Sequence, residues 1–250
     1  MEQRMMLRLS GVLVCVLLLG RPAVAEELRP QLDDLVEHFT QVALGQEYAD
    51  LGGVSGILAK WGANPVAITV QGRPTQELAA MASKHLNDIS KLTGVRFKQV
   101  KPGTNVPSID LIFLKRAQMG AIKGPNIDPK AIQSLASDPT MACFFLKWHK
   151  PADQIVKAIV VVNIELEPVR VDSCLLEELT QVMGLPNDVK AYWKTLFNPL
   201  DVSFTYSEWD ALYLKTLYDP RLKPGMNAEA VRATVRPIFA EALSKAPKSP

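Results

Sequence analysis

The chain has 250 residues, 48% of them hydrophobic, with 28 Lys and Arg against 26 Asp and Glu for a formal charge of +2. Arg4, Arg8 and Arg21 against Glu2 place the whole of that surplus in the first 25 residues, so the remainder is formally neutral. A neutral chain with no clustered Lys/Arg face is a poor nucleic-acid binder, and its length suits one domain that buries a core without staples.

The N-terminus reads as an export signal. Arg4 and Arg8 precede a short apolar run over residues 12–19, and Ala23-Val24-Ala25 supplies the small residues that a signal peptidase reads. The run is shorter than the roughly 20 residues a bilayer span needs. Cleavage is therefore expected after Ala25, leaving a periplasmic or secreted chain from Glu26 onward with no membrane span. A lipoprotein with Cys15 modified is the competing reading, and Val14 stands where that reading wants a small residue.

Leu28, Leu32, Leu35, Phe39 and Val42 recur at three- and four-residue steps and predict an amphipathic helix over residues 27–44. A glycine-rich loop follows (Gly45, Gly52, Gly53, Gly56), with Ile57, Leu58 and Trp61 as anchors. Residues 66–70 read as a strand ending at Gly72, and Thr75 opens a helix to about Leu92 that Gly94 closes. Residues 95–100, 109–114 and 141–148 read as extended, with a small helix over 128–135 between the last two. The run "IVKAIVVVNIEL" within residues 154–166 is nearly all apolar and predicts a strand buried on both faces. Beyond it only helices are expected, over 208–218 and 228–243. Strands interleaved with helices and then helices alone imply an α+β domain over residues 26–243, a mixed sheet with a largely helical C-terminal half and a loose tail at 244–250.

An exported chain lives where disulfides persist, and removal of the signal leaves two cysteines, Cys143 and Cys174, with one possible intramolecular bridge. Closing that loop contributes roughly 3–4 kcal/mol on the chain-entropy model. Two buried free thiols are the alternative.

The stretch "CLLEELTQVMGLPND", Cys174 to Asp188, is where chemistry is most plausibly sought. Asp172 or Ser173 can cap a helix there, Gly184 stands where a left-handed residue is wanted, and Pro186 bars continuation. The helix is expected over residues 174–183. Leu175, Leu176, Leu179, Val182 and Met183 share a face; Glu177 and Gln181 point the opposite way, with Glu178 at the edge. Amphipathicity alone sets the polar face in water.

Glu177, Glu178, Gln181, Gly184 and Asn187 stand at the fixed positions of the zincin signature H-E-x-x-H-x-x-G-x-x-H/D, which this stretch resembles. With "HFTQVALGQEY", "KWGANPVAITVQG" and "LYDPRLKPGM", which together span most of the chain after the signal, it is similar to a bacterial exported family. That family is known as domain of unknown function 2927 and is grouped with zincin-like peptidases. The resemblance implies a zincin-like α+β fold, with Glu178 in the general-base position and Glu177, Gln181 and Asn187 in ligand positions. Asp188 offers a further carboxylate; its plainer role is an Asx-type turn after Pro186-Asn187. "LKPGM", ending at Met226, resembles the methionine-bearing turn of one zincin branch, and is otherwise a plain Pro-Gly turn.

The departures are in the ligands. Glu177 replaces a His, and Gln181 and Asn187 bring neutral amide oxygens; such a set suits a hard divalent metal better than Zn²⁺. Without a tightly held Zn²⁺ nothing lowers the pKa of water for Glu178 to exploit. The leading expectation is thus a binding or structural protein of the cell envelope with a degenerate metallopeptidase site. It would take an extended peptide or envelope protein by strand addition between a sheet edge and the Glu177/Gln181 face. The alternative is a metal-dependent hydrolase, with Glu178 as base and Glu177, Gln181, Asn187 or Asp188 as oxygen ligands. A blander one leaves that face merely solvated.

Other motifs fall away. His38 and His85 lie in separate helices without H-x-x-x-H spacing, His149 reads as a loop histidine near a bend at Pro151, and "GGVSG" around Ser55 lacks the second Gly of a nucleophile elbow. Trp193, Phe197, Phe204, Tyr206 and Trp209 read as core closure more readily than as a groove lining.

Overall fold

The computed structural model describes residues 29–46, 56–150 and 153–245. The expected export segment at 1–25, Gly52, Gly53 and Ser55 of the glycine-rich loop, and the end of the tail lie outside them.

Among the described residues six strands form one mixed sheet. They are β1 (Lys60–Trp61), β2 (Val66–Gly72), β3 (Phe97–Gln99), β4 (Ser108–Leu114), β5 (Cys143–Lys150) and β6 (Gln154–Asn163). Four of them, in the order β3-β2-β4-β6, run parallel, and β1 pairs parallel with the first residues of β6. β5 folds back antiparallel on β6, with Cys143 opposite Val162 and Lys150 opposite Gln154.

Helix α1 (Leu32–Leu44) precedes the sheet, and α2 (Gln76–Thr93) crosses from β2 to β3. α3 (Arg116–Met119) and α4 (Pro129–Ser137) follow β4, and α5 (Pro168–Gln181), α6 (Glu208–Leu217) and α7 (Ala228–Lys245) follow β6.

Period-2 alternation divides the sheet between two cores. Ile109, Leu111 and Phe113 of β4 and Ala158, Val160 and Val162 of β6 join the main core with α1, α2 and α5 to α7. Ile159 and Val161 face the other way, onto Met119 of α3 and Ile132 and Ala136 of α4. β6 therefore needs apolar side chains on both sides, which is why its sequence does not alternate.

The helix signals read from sequence act as expected at several ends. Thr75 Oγ1 accepts from Leu78 N at 3.2 Å and Gly94 is left-handed at φ 74°; Asp128, read as the first residue of its helix, instead caps it and accepts from Lys130 N at 2.9 Å. Two short elements, β1 and α3, carry no periodic signal and were not expected. The largest difference is α5, which starts at Pro168 and not at Cys174. Proline at the first helical position lacks an N–H that would have no partner there, and Val171 extends the apolar stripe back one turn. Asp172 is thus a helix-interior residue, not a cap; it bonds His85 Nε2 at 2.7 Å and ties α5 to α2.

Candidate functional site

α5 runs from the end of β6 back alongside β5, and the Cys143–Cys174 disulfide joins helix to strand with the Cα atoms 5.9 Å apart. The chain then leaves the helix at Gly184, whose φ is +123°. A Cβ there would run into the carbonyl oxygen of Ala59, so only glycine lets the helix end pack against the segment entering β1. Trp61 Nε1 and Tyr218 Oη donate to the carbonyls of Val182 and Met183, at 2.9 Å each, and hold that turn from both sides.

The polar face of α5 is not in water. Gln181 is 0% exposed and Glu178 4%. An isolated amphipathic pattern registers only the larger partner of a helix; here residues 188–206 return over the opposite face and cover it too. Thr180 Oγ1 lies 2.7 Å from Tyr206 Oη, and Gln181 Nε2 donates to Asp188 Oδ1 at 2.9 Å.

Asp188 is the centre of the resulting group. Burial pushes its carboxyl up to about 6, opposed by hydrogen bonds from Glu177 and Gln181. Two carboxyl groups bonded to each other need a proton between them, and burial supplies the reason to keep it. Glu177, Gln181 and Asp188 therefore converge. Asn187 does not join them: its Nδ2 donates to the Gln41 carbonyl at 3.1 Å, which also accepts from Gly45 N in the last turn of α1, and its side chain lies over Gly45.

Glu177 and Glu178 also reach an open depression of about 330 Å³. Its walls include Met141 and the disulfide on the β5 side, Arg170 on α5, and Asp201 and Val202 on the returning loop. Val202 at 66% and neighbouring Leu200 at 77% exposure place two apolar side chains at the protein surface on that loop.

A zinc ion held as the resemblance implies would need nitrogen or sulfur donors, and the converging group has none. No cluster of three or more His, Cys, Asp or Glu suited to a metal occurs among the described residues. Gln181 turns its amide N–H, not its oxygen, toward Asp188, and the two carboxyls are joined by a hydrogen bond. With its amide turned to donate and its carboxyls bonded to each other, the group does not fit zinc as the signature would hold it.

Histidine 38 enters the site through the backbone, which its sequence position does not reveal. Its Nε2 lies 3.0 Å from the Val189 carbonyl and its Nδ1 3.1 Å from Tyr213 Oη. The ring thus anchors the residue next to Asp188, and burial holds its pKa below the usual histidine value. His149, on β5, is pulled down to about 4 by burial and by Lys147. Met226 lies in the turn that pairs with Leu58, its thioether 3.4 Å from Lys223 N. Trp193, Phe197 and Trp209 are buried in the main core, as read, while Phe204 is exposed.

The sequence pattern of the family described as Protein of unknown function (DUF2927) matches residues 33–237. The chain belongs to that family. The match takes in every strand, α5, the disulfide and the Glu177–Gln181–Asp188 group, so the site is part of the family domain and not an appendage to it. No curated protein matches the chain.

Proposed function

We propose that the protein is an exported, non-catalytic peptide-binding protein on a zincin-like frame, whose metal centre has been replaced by a proton-bridged carboxyl pair. The observation that carries this reading is the closure of Glu177, Gln181 and Asp188 on one another. These are two ligand positions of the signature and the residue following the third. The converging group offers a zinc ion no nitrogen or sulfur donor, so it supplies no zinc-bound water for Glu178 to assist. What remains usable is the depression beside it, with Glu177 and Glu178 on one wall and, on the other, Thr140, Met141 and Ala142 leading into β5 at Cys143. β5 pairs only with β6 among the described strands. An extended peptide laid along β5 would gain main-chain hydrogen bonds from the strand and side-chain selection from the depression.

Two measurements test this together. Metal analysis of protein purified without chelator should return no stoichiometric metal, and a peptide array should give binders that Val202→Glu and Glu177→Ala weaken. A stoichiometric metal that is lost in Glu177→Ala would overturn the proposal in favour of a metal-dependent hydrolase. Binders indifferent to both substitutions would remove the depression from the reading.

A further inference from the structure

A second groove, of about 440 Å³, lies at the other end of the sheet. Its floor is the apolar surface of Ile68, Leu111 and Phe97, and its rim carries Ser83 and Asn87 of α2, one helical turn apart. Beside it runs β3, the terminal strand on that side, which pairs with β2 alone among the described strands.

The register shows which groups β3 leaves free. Val66 N donates to Arg96 O and Val100 N to Ile68 O, each at 2.9 Å. Arg96, Lys98 and Val100 therefore turn their ladder groups toward β2, and alternation directs those of Phe97 and Gln99 outward. The side chains of Phe97 and Gln99 line the groove, so Arg96 and Lys98 stand on the opposite face of the strand. Lys98 and Lys101 are exposed, and no carboxylate among the described residues pairs with Arg96, Lys98 or Lys101.

We propose that this edge and groove bind an extended peptide in which apolar and acidic residues alternate. Added as an outer strand, such a peptide sends its apolar side chains over the groove and its carboxylates beside Arg96 and Lys98, where directly opposed charges on neighbouring strands attract. Lysines on an edge can also serve only to repel other edges. A three-residue edge is already short for that hazard, and a guard has no use for an open apolar groove on its other face. This site is independent of the cleft beside α5.

The probe is a fluorescein-labelled Ser-Leu-Asp-Val-Glu-Leu-Ser peptide followed by anisotropy, with a control in which Lys replaces the acidic residues. The protein should bind the acidic peptide saturably and the basic one not at all, with weakening in salt. Lys98→Glu should weaken it by about tenfold or more through charge reversal at the contact. Gln99→Pro deletes an outward N–H without touching the β2 ladder, and Ser83→Trp fills the groove from an exposed position; each should abolish binding while the thermal melt stays unchanged. The proposal is overturned by absence of saturable binding, by equal binding of the basic peptide, or by indifference to both Gln99→Pro and Ser83→Trp. Sedimentation showing a dimer that Gln99→Pro dissolves and that excludes the peptide would assign the edge to a second copy of the chain and overturn it too.

Discussion

Asp188→Asn is the substitution on which the closed carboxyl pair stands or falls. Burial raises the Asp188 carboxyl from 3.8 to about 6. A group whose folded pKa is raised contributes stability that is fully present below its unfolded value and lost as pH rises through the folded one. Between those limits the folded state holds a proton that the unfolded state has released. At about 1.4 kcal/mol per pH unit, the loss on going from pH 4 to pH 7 is about 2–3 kcal/mol, shared with Glu177 because a hydrogen-bonded pair titrates as a unit. Asparagine keeps the Oδ1 that accepts from Gln181 and presents a permanent N–H to Glu177, so the bridge no longer depends on a labile proton. Urea unfolding by tryptophan fluorescence, run from pH 4 to pH 8 on both proteins, isolates the term, since other titrating groups cancel in the difference. The variant should be more stable than wild type by about 1–3 kcal/mol at pH 7.5, with the gap closing toward pH 4. Parallel pH curves, or a variant less stable at pH 7.5, would refute the reasoning.

Three further outcomes are expected. Reduction of the Cys143–Cys174 bond, which closes a loop of sequence separation 31, should cost about 4 kcal/mol on the chain-entropy relation, read as a lowered urea midpoint in dithiothreitol and reproduced by Cys143→Ser/Cys174→Ser. Gly184→Ala combines a φ of +123° with a clash against the Ala59 carbonyl; it should destabilise by about 2–4 kcal/mol, checked by thermal melting, and an unchanged melt would contradict the close approach. Burial lowers the His38 pKa from 6.5, so its contribution is intact above that value and declines as pH falls below it. His38→Gln keeps an N–H for the Val189 carbonyl and should show a shallower loss of stability from pH 6.5 to pH 5 than wild type.

The order of the longer strands and helices, the caps of α2, the double-sided burial of β6 and the strained position of Gly184 were legible in the sequence. Each depends on interactions within one element or one turn. Thr75 caps α2 through an amide three residues on, and Gly184 is marked by the Leu-Pro that follows it. The cysteine pair was legible because the expected removal of the signal left one possible bridge. The start of α5 was misplaced by six residues because Asp172 looks like a cap to its neighbours alone, while its carboxylate is taken by His85, 87 positions away.

The state of the Glu177 face was decided only by the tertiary structure. Periodicity assigns one buried stripe to α5, and nothing local indicates that residues 188–206 return to cover the other. That return selects Asp188 over Asn187 as the partner of Gln181, brings His38 behind the adjoining carbonyl, and replaces water around Glu178 and Gln181 with protein. A carboxyl keeps a proton or binds a cation according to its dielectric surroundings and the donors facing it. Residues scattered from position 38 to position 206 set those surroundings, so they belong to the fold and not to the spacing of the motif.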